Sequence, residues 1–168
     1  MRKIWNIISG VLVGIVVVLA VLLVGVRFIG LQNYTVLSGS MEPAYPTGSM
    51  IYIKQTDPQK LEVGDVITFR ISGETIATHR IIEEVQEGGT TCFRTKGDAN
   101  EVDDNVLVQP DNILGKVLFC IPGLGFLAAY LQSASGRYAA IAVGALILLV
   151  VFVPDLLFPG KKEKENVK

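Results

Sequence analysis

Apolar residues form two long runs near the ends of the chain, and between those runs they alternate with polar ones. From Ile4 to Val26 no charge interrupts a stretch dominated by Ile, Val and Leu, about 23 residues that would extend roughly 34 Å as a helix. That length crosses a hydrocarbon core. The run exceeds the apolar stretch of a cleaved leader, and Val26-Arg27-Phe28-Ile29-Gly30 offers no small-x-small exit, so an uncleaved anchor over residues 4–26 is expected. Tyr138 to Val153 supplies about 16 uncharged residues, short for a span; Leu156, Leu157 and Phe158 lengthen it if Asp155 sits at the interface. A second crossing helix over 137–158 is therefore predicted, with a buried or surface-lying helix as the alternative.

The basic residues Arg2 and Lys3 precede the first run, and Lys161, Lys162, Lys164 and Lys168 follow the second. Basic flanks favour the cytoplasmic side, so residues 1–3 and the tail 159–168 are both expected there. The region between the spans is then extracytoplasmic, in a multi-pass protein of the cell membrane.

That middle region carries the period of strands. Met50-Ile51-Tyr52-Ile53-Lys54 is apolar and β-rich, and Asp65-Val66-Ile67-Thr68-Phe69-Arg70 alternates clearly. Thr78–Gln86 and Thr91–Lys96 flank Gly88-Gly89, which predicts a two-residue hairpin. That loop sets Glu87 opposite Thr90, Val85 opposite Cys92, Glu83 opposite Arg94 and, at the far end, His79 opposite Asp98; a one-residue slip would undo the last pair. Residues 32–120 are expected to form a β domain. The stretch 121–136 is too apolar to be solvated and too short to span, so it is expected at the membrane interface, with a core helix of the β domain as the alternative.

Composition narrows the classes. The 168 residues leave room for one domain; half of them are hydrophobic, and the formal net charge of -1 with no basic stripe outside the membrane flanks argues against a nucleic-acid partner. A single histidine and no Cys/His cluster at ligand spacing give no reason to expect a metal, and no phosphate-binding glycine loop calls for a cofactor. A bond between Cys92 and Cys120 would close about 29 residues, but nothing marks the two as within reach, and free thiols are the plainer expectation.

Candidate chemistry centres on Ser38-Gly39-Ser40-Met41-Glu42-Pro43. Glycine and proline around Ser40 allow a sharp bend that leaves its hydroxyl uncrowded, and Ser38 would share its side of an extended segment, able to donate where negative charge develops. An exposed turn has the same composition. Downstream stand His79, the sole histidine, and the acidic residues Asp98, Asp103 and Asp104. Serine, imidazole and carboxylate are the parts of acyl-transfer chemistry, since an imidazole of ordinary pKa near 6.5 can accept a serine proton at neutral pH while a carboxylate fixes its tautomer. The hairpin register favours Asp98 as that carboxylate. A solvated turn is the plain reading of the acidic cluster.

Four ordered segments carry a family resemblance: Ser38–Pro43, Gly64–Phe69, His79-Arg80-Ile81-Ile82, and Thr95-Lys96-Gly97-Asp98-Ala99-Asn100 with Val102-Asp103-Asp104. The chain resembles the type I signal peptidases, in the endoplasmic-reticulum-type branch also found in archaea and some Gram-positive bacteria. The sister bacterial branch has lysine where this chain has His79. The resemblance implies a mainly β catalytic domain between transmembrane helices, a serine endopeptidase that removes signal peptides from secretory preproteins, and no cofactor. It implies Ser40 as nucleophile, His79 as general base, Asp104 as the partner of His79 and Asp98 as a further residue needed for activity. It also implies an oxyanion hole from the Ser40 backbone N–H, which the Ser38 hydroxyl would join. Ala99 departs from the asparagine common in that branch. Two rival readings share these features: a self-cleaving protease with a serine-lysine dyad, and a noncatalytic membrane-anchored β domain that binds a partner.

Overall fold

Segments rich in β-branched and aromatic residues make most of the six strands of the middle region, and the computed structural model describes residues 2–157 of the chain. Met1, Phe158 at the end of the second apolar run and the tail 159–168 lie outside the described residues. The strands are β1 (Leu31–Thr35), β2 (Met50–Lys54), β3 (Val66–Ser72), β4 (Thr75–Glu87), β5 (Thr90–Lys96) and β6 (Ile113–Ile121). They form one sheet in the order β1-β2-β6-β3-β4-β5, and every neighbouring pair is antiparallel. The mainly β fold class expected from the alternation is therefore the fold observed, with an apolar helix at each end: α1 (Arg2–Leu23) and α3 (Ala134–Leu157).

The chain divides into two compact units, one holding the two long helices and the other running from Leu23 to Ala129. Within the first unit the Trp5 indole donates to the Val150 carbonyl at 3.1 Å, tying α1 to α3. Both helices are long and apolar enough to cross a membrane.

In the second unit β6 lies between β2 and β3, pairing Ile53 with Val117 on one edge and Ile67 with Lys116 on the other. It joins the early pair β1–β2 to the meander β3–β5. Alternation then divides the apolar side chains between two clusters. Ile67 and Phe69 join Leu61, Ile81, Phe93 and Val108, whereas Val66 turns to Met41, Ile51, Ile53 and Val117. Cys92 and Cys120 are free thiols.

The Gly88-Gly89 turn produces the expected pairs Glu87–Thr90, Val85–Cys92 and Glu83–Arg94. Beyond them the register slips. Ile81 pairs with Thr95 and Arg80 with Lys96, so Ile82 is an extra residue in β4, a bulge that shifts everything beyond it by one position. The expected pairing of His79 with Asp98 is lost for that reason.

After β6 the apolar stretch forms α2 (Leu124–Gln132), whose Leu124, Gly125 and Ala128 are buried while Phe126 stays exposed. The helix start is seated on Gly48, whose carbonyl accepts from Phe126 N at 3.2 Å and whose own N–H donates to Val36 O at 2.8 Å. Gly48 has φ +81°, and a Cβ there would stand 1.9 Å from the Phe126 ring. Alanine at this position is opposed twice, by backbone strain and by overlap. Gly48→Ala is expected to destabilise the chain by about 3 kcal/mol, against about 1 kcal/mol for Gly73→Ala, where φ is +55° but no atom lies within 4 Å of the new Cβ. Thermal unfolding of the detergent-solubilised variants checks this; equal losses would remove the docking role of Gly48.

Candidate active site

Ser40 lies in the turn-rich segment between β1 and β2, where Glu42 N donates to Gly39 O at 3.0 Å and Tyr45 N to Met41 O at 2.9 Å. Met41 is buried in the second apolar cluster, so the chain is pinned immediately after Ser40 while the serine itself stays partly exposed. Thr47 donates from its hydroxyl to Glu42 Oε1 at 3.1 Å and closes the segment on itself.

His79 projects from the first half of β4, with Phe69 of β3 packed edge-on at a ring separation of 6.2 Å. Its Nδ1 is 2.6 Å from Asp104 Oδ2, and its Nε2 is 3.3 Å from Ser40 Oγ. An ionised carboxylate can only accept, so the ring proton is on Nδ1 and the lone pair of Nε2 faces the serine hydroxyl. The imidazole is 13% exposed and the carboxylate 25%, enough shelter to strengthen the pair without stripping it of water. The Ser38 hydroxyl is 3.3 Å from Ser40 Oγ. Either hydroxyl can be the donor in that pair.

The remaining acidic residues fall elsewhere. Asp103, next to Asp104, is exposed. Asp98 does not face His79 across the ladder, whose pairing ends with Arg80 opposite Lys96; instead the Arg80 guanidinium binds it through Nε at 2.8 Å and Nη2 at 2.6 Å. The bond to Asp98 raises the already high pKa of Arg80, and Nη1 of the same side chain donates to Gly64 O at 2.8 Å. Arg80 thus fastens the turn at Asp98 to the start of β3, on the flank of the histidine.

Two backbone contacts missed from sequence bring the serine and the acidic loop together. Ala99 N donates to Ser40 O at 2.9 Å, and Gly97 comes so close that a Cβ there would lie 2.6 Å from the same oxygen. Because Ala99 contributes only its N–H to this bond, an alanine in place of asparagine leaves it intact. Thr95 was also missed. Its hydroxyl donates to Asp104 Oδ2 at 2.6 Å.

Ser38, Ser40 and His79 line a groove of about 440 Å³ that also includes Tyr34, Val36 and Ile76. Tyr45 lines it too, and burial raises its phenol above the usual 10, keeping it neutral at physiological pH. From Ile76 to Thr78, β4 pairs with β3 on one side only, since its pairing with β5 begins at Arg80. A free strand edge therefore borders the groove and can hydrogen-bond an extended peptide. Among the described residues no lysine lines it: Lys116 binds Asp65 at 2.5 Å, and Lys96 Nζ donates to Glu101 O at 3.3 Å. No cluster that could hold a metal ion occurs among the described residues.

Residues 8–86 match the family described as signal peptidase, peptidase S26. Signal peptidase I W of Bacillus subtilis (strain 168) is 39% identical over 121 residues, 67% of this chain and 64% of that protein. The signal peptidase complex catalytic subunit SEC11C of Rattus norvegicus is 32% identical over 125 residues, 68% of this chain and 65% of the relative. Against these two the match spans just under two thirds of their length. The sec11 catalytic subunit of Dictyostelium discoideum is 34% identical over 127 residues, 70% of this chain and 68% of the relative. The juxtaposed Ser40, His79 and Asp104 lie within a chain that, by these matches, belongs to the signal peptidase family, peptidase S26.

Proposed function

We propose that this chain is a membrane-bound serine endopeptidase that removes N-terminal signal peptides from secretory preproteins. The observation that carries the reading is the unbroken line Ser40 Oγ, His79 Nε2, His79 Nδ1, Asp104 Oδ2, with separations of 3.3 Å and 2.6 Å at its two hydrogen-bonded steps. The relatives named signal peptidase support the substrate class.

In the reaction the substrate lies extended along the free edge of β4. His79 Nε2 takes the Ser40 proton as Oγ attacks the scissile carbonyl carbon, and Asp104 stabilises the imidazolium so formed. The Ser40 backbone N–H and the Ser38 hydroxyl hold the oxyanion of the tetrahedral intermediate. The imidazolium then protonates the leaving amine, which frees the mature protein and leaves the signal peptide as an ester on Ser40. A water molecule deprotonated by His79 hydrolyses that ester. Small residues before the cut suit this groove, which Met41, Tyr45 and Ile51 help to line. Asp98 serves through Arg80 rather than by touching the imidazole, keeping the acidic turn on the flank of His79.

The reading includes a topology. Residues 4–26 and 137–158 cross the membrane, residues 1–3 and 159–168 are cytoplasmic, and the β domain works on the extracytoplasmic face. Residues 121–136 rest at the interface, where the exposed Phe126 of α2 meets lipid headgroups. Ser40 follows the first span by about 13 residues, a reach of at most about 43 Å, so the site stays near the bilayer that holds its substrate.

Ser40→Ala is expected to abolish cleavage of secretory precursors in membranes while the protein remains folded and inserted; cleavage that persists would return the chain to a binding role. Asp104→Asn should lower kcat by about 10⁴, because the amide no longer supports the imidazolium, whereas Asp103→Asn should change it less than twofold. Comparable damage at both positions would end the assignment of Asp104. Protease added outside intact cells or protoplasts should clip the β domain and spare the lysine-rich tail, and a tail digested from outside would mean that the second run does not cross.

A further inference from the structure

Asp104 sits in the stretch 97–107, which contains neither helix nor strand, yet its carboxylate must meet His79 in one orientation. Two bonds from a single residue hold it. Asp104 N donates to Thr95 O at 2.8 Å, and the Thr95 hydroxyl donates to Asp104 Oδ2 at 2.6 Å. Thr95 is itself immobile: it is 0% exposed, and it is paired with Ile81 within the β4–β5 ladder. The backbone bond sets where the loop passes, and the hydroxyl bond sets how the carboxylate is turned about its side-chain torsions. The oxygen that accepts from Thr95 is the one that accepts from His79 Nδ1, so the position of one donor constrains the line of the other.

From this we propose that Thr95 is a positioning residue for the proton relay, acting through Asp104 to hold the His79 ring with its proton on Nδ1 and Nε2 toward Ser40; the inference rests on His79 serving as the base. The hydroxyl acts in two ways. It fixes how the carboxylate is turned toward the imidazole, and it shares the negative charge, so that the carboxylate supports the imidazolium without taking its proton. A buried threonine that served only packing would not need its hydroxyl, because valine has nearly the same shape and suits a strand equally well.

Because His79 is the only histidine, a chain labelled with ¹⁵N-histidine reports a single imidazole without interference. The full chain in detergent micelles, as wild type, Thr95→Val and Thr95→Ser, is compared by imidazole NMR and by steady-state cleavage of a precursor. Wild type and Thr95→Ser should show one species protonated at Nδ1, with a strongly low-field proton. Thr95→Val should lose that proton signal and show mixed tautomers, and its kcat should fall roughly 10- to 100-fold at unchanged KM, the size of one hydrogen bond to a charged group. Thr95→Cys, which keeps a weak donor, should fall between the serine and valine variants and serves in place of the latter should it not fold. The proposal is overturned if Thr95→Val keeps both the proton signal and kcat, or if Thr95→Ser is as damaged as Thr95→Val. A wild-type chain that cleaves no precursor would sink the peptidase reading alone, because the histidine spectrum is read without turnover.

Discussion

Oδ2 of Asp104 accepts from His79 Nδ1 and from Thr95 Oγ1, each at 2.6 Å, and the geometry of the site depends on that shared oxygen. Through it β4, β5 and the irregular loop after β5 are held together. A carboxylate oxygen has lone pairs for both donors, and a partly buried carboxylate left without them would be costly. The loop therefore has a strong reason to close in this one place. Its closure brings Ala99 N within 2.9 Å of Ser40 O, so the strand bearing the histidine and the segment bearing the serine are referred to a common anchor.

The sheet supplies what the anchor needs. With β6 between β2 and β3, the two apolar clusters share one backbone frame, and the residues that flank Ser40 and His79 belong to them: Met41 to one, Ala77 and Ile81 to the other. Bulges interrupt each of the four pairings that run from β2 to β5, which adds twist and turns the strands away from a flat surface. The bulge at Ile82 has the clearest effect. It takes the ladder off the expected register, so Asp98 is not paired with His79 and binds the Arg80 guanidinium, while the imidazole meets the carboxylate six residues later.

Much of this was legible in the sequence because it follows from periodicity. Met50–Lys54 could be read from its apolar, β-rich composition, the Gly88-Gly89 hairpin from turn chemistry, and both apolar end helices from run length. Leu31–Thr35 gave no such sign, since Gln32 and Asn33 make it polar, and Ile113–Ile121 is broken by Gly115 and Lys116 in its middle. The bulge was hard to see for a plainer reason: Arg80-Ile81-Ile82-Glu83 contains no glycine or proline, and only the doubled isoleucine breaks the alternation where the extra residue lies. Ser40, His79 and Asp104 were suggested by residue type and by family resemblance, yet no spacing rule brings residues 40, 79 and 104 together; tertiary pairing does that. Thr95 passed unnoticed because a threonine in a strand is ordinary until its neighbour across a loop is known.

In the proposed mechanism Ser40 and His79 act as one unit, the proton of one passing to the other. Groups that act as a unit are not additive: once either is gone, removing the second costs little more. The decisive measurement is kcat/KM for precursor cleavage by Ser40→Ala, His79→Ala and the double variant, each confirmed to be folded and inserted. All three should lose activity to the same residual level. A double variant whose loss is the product of the two single losses would show that serine and histidine contribute independently, and would contradict that mechanism.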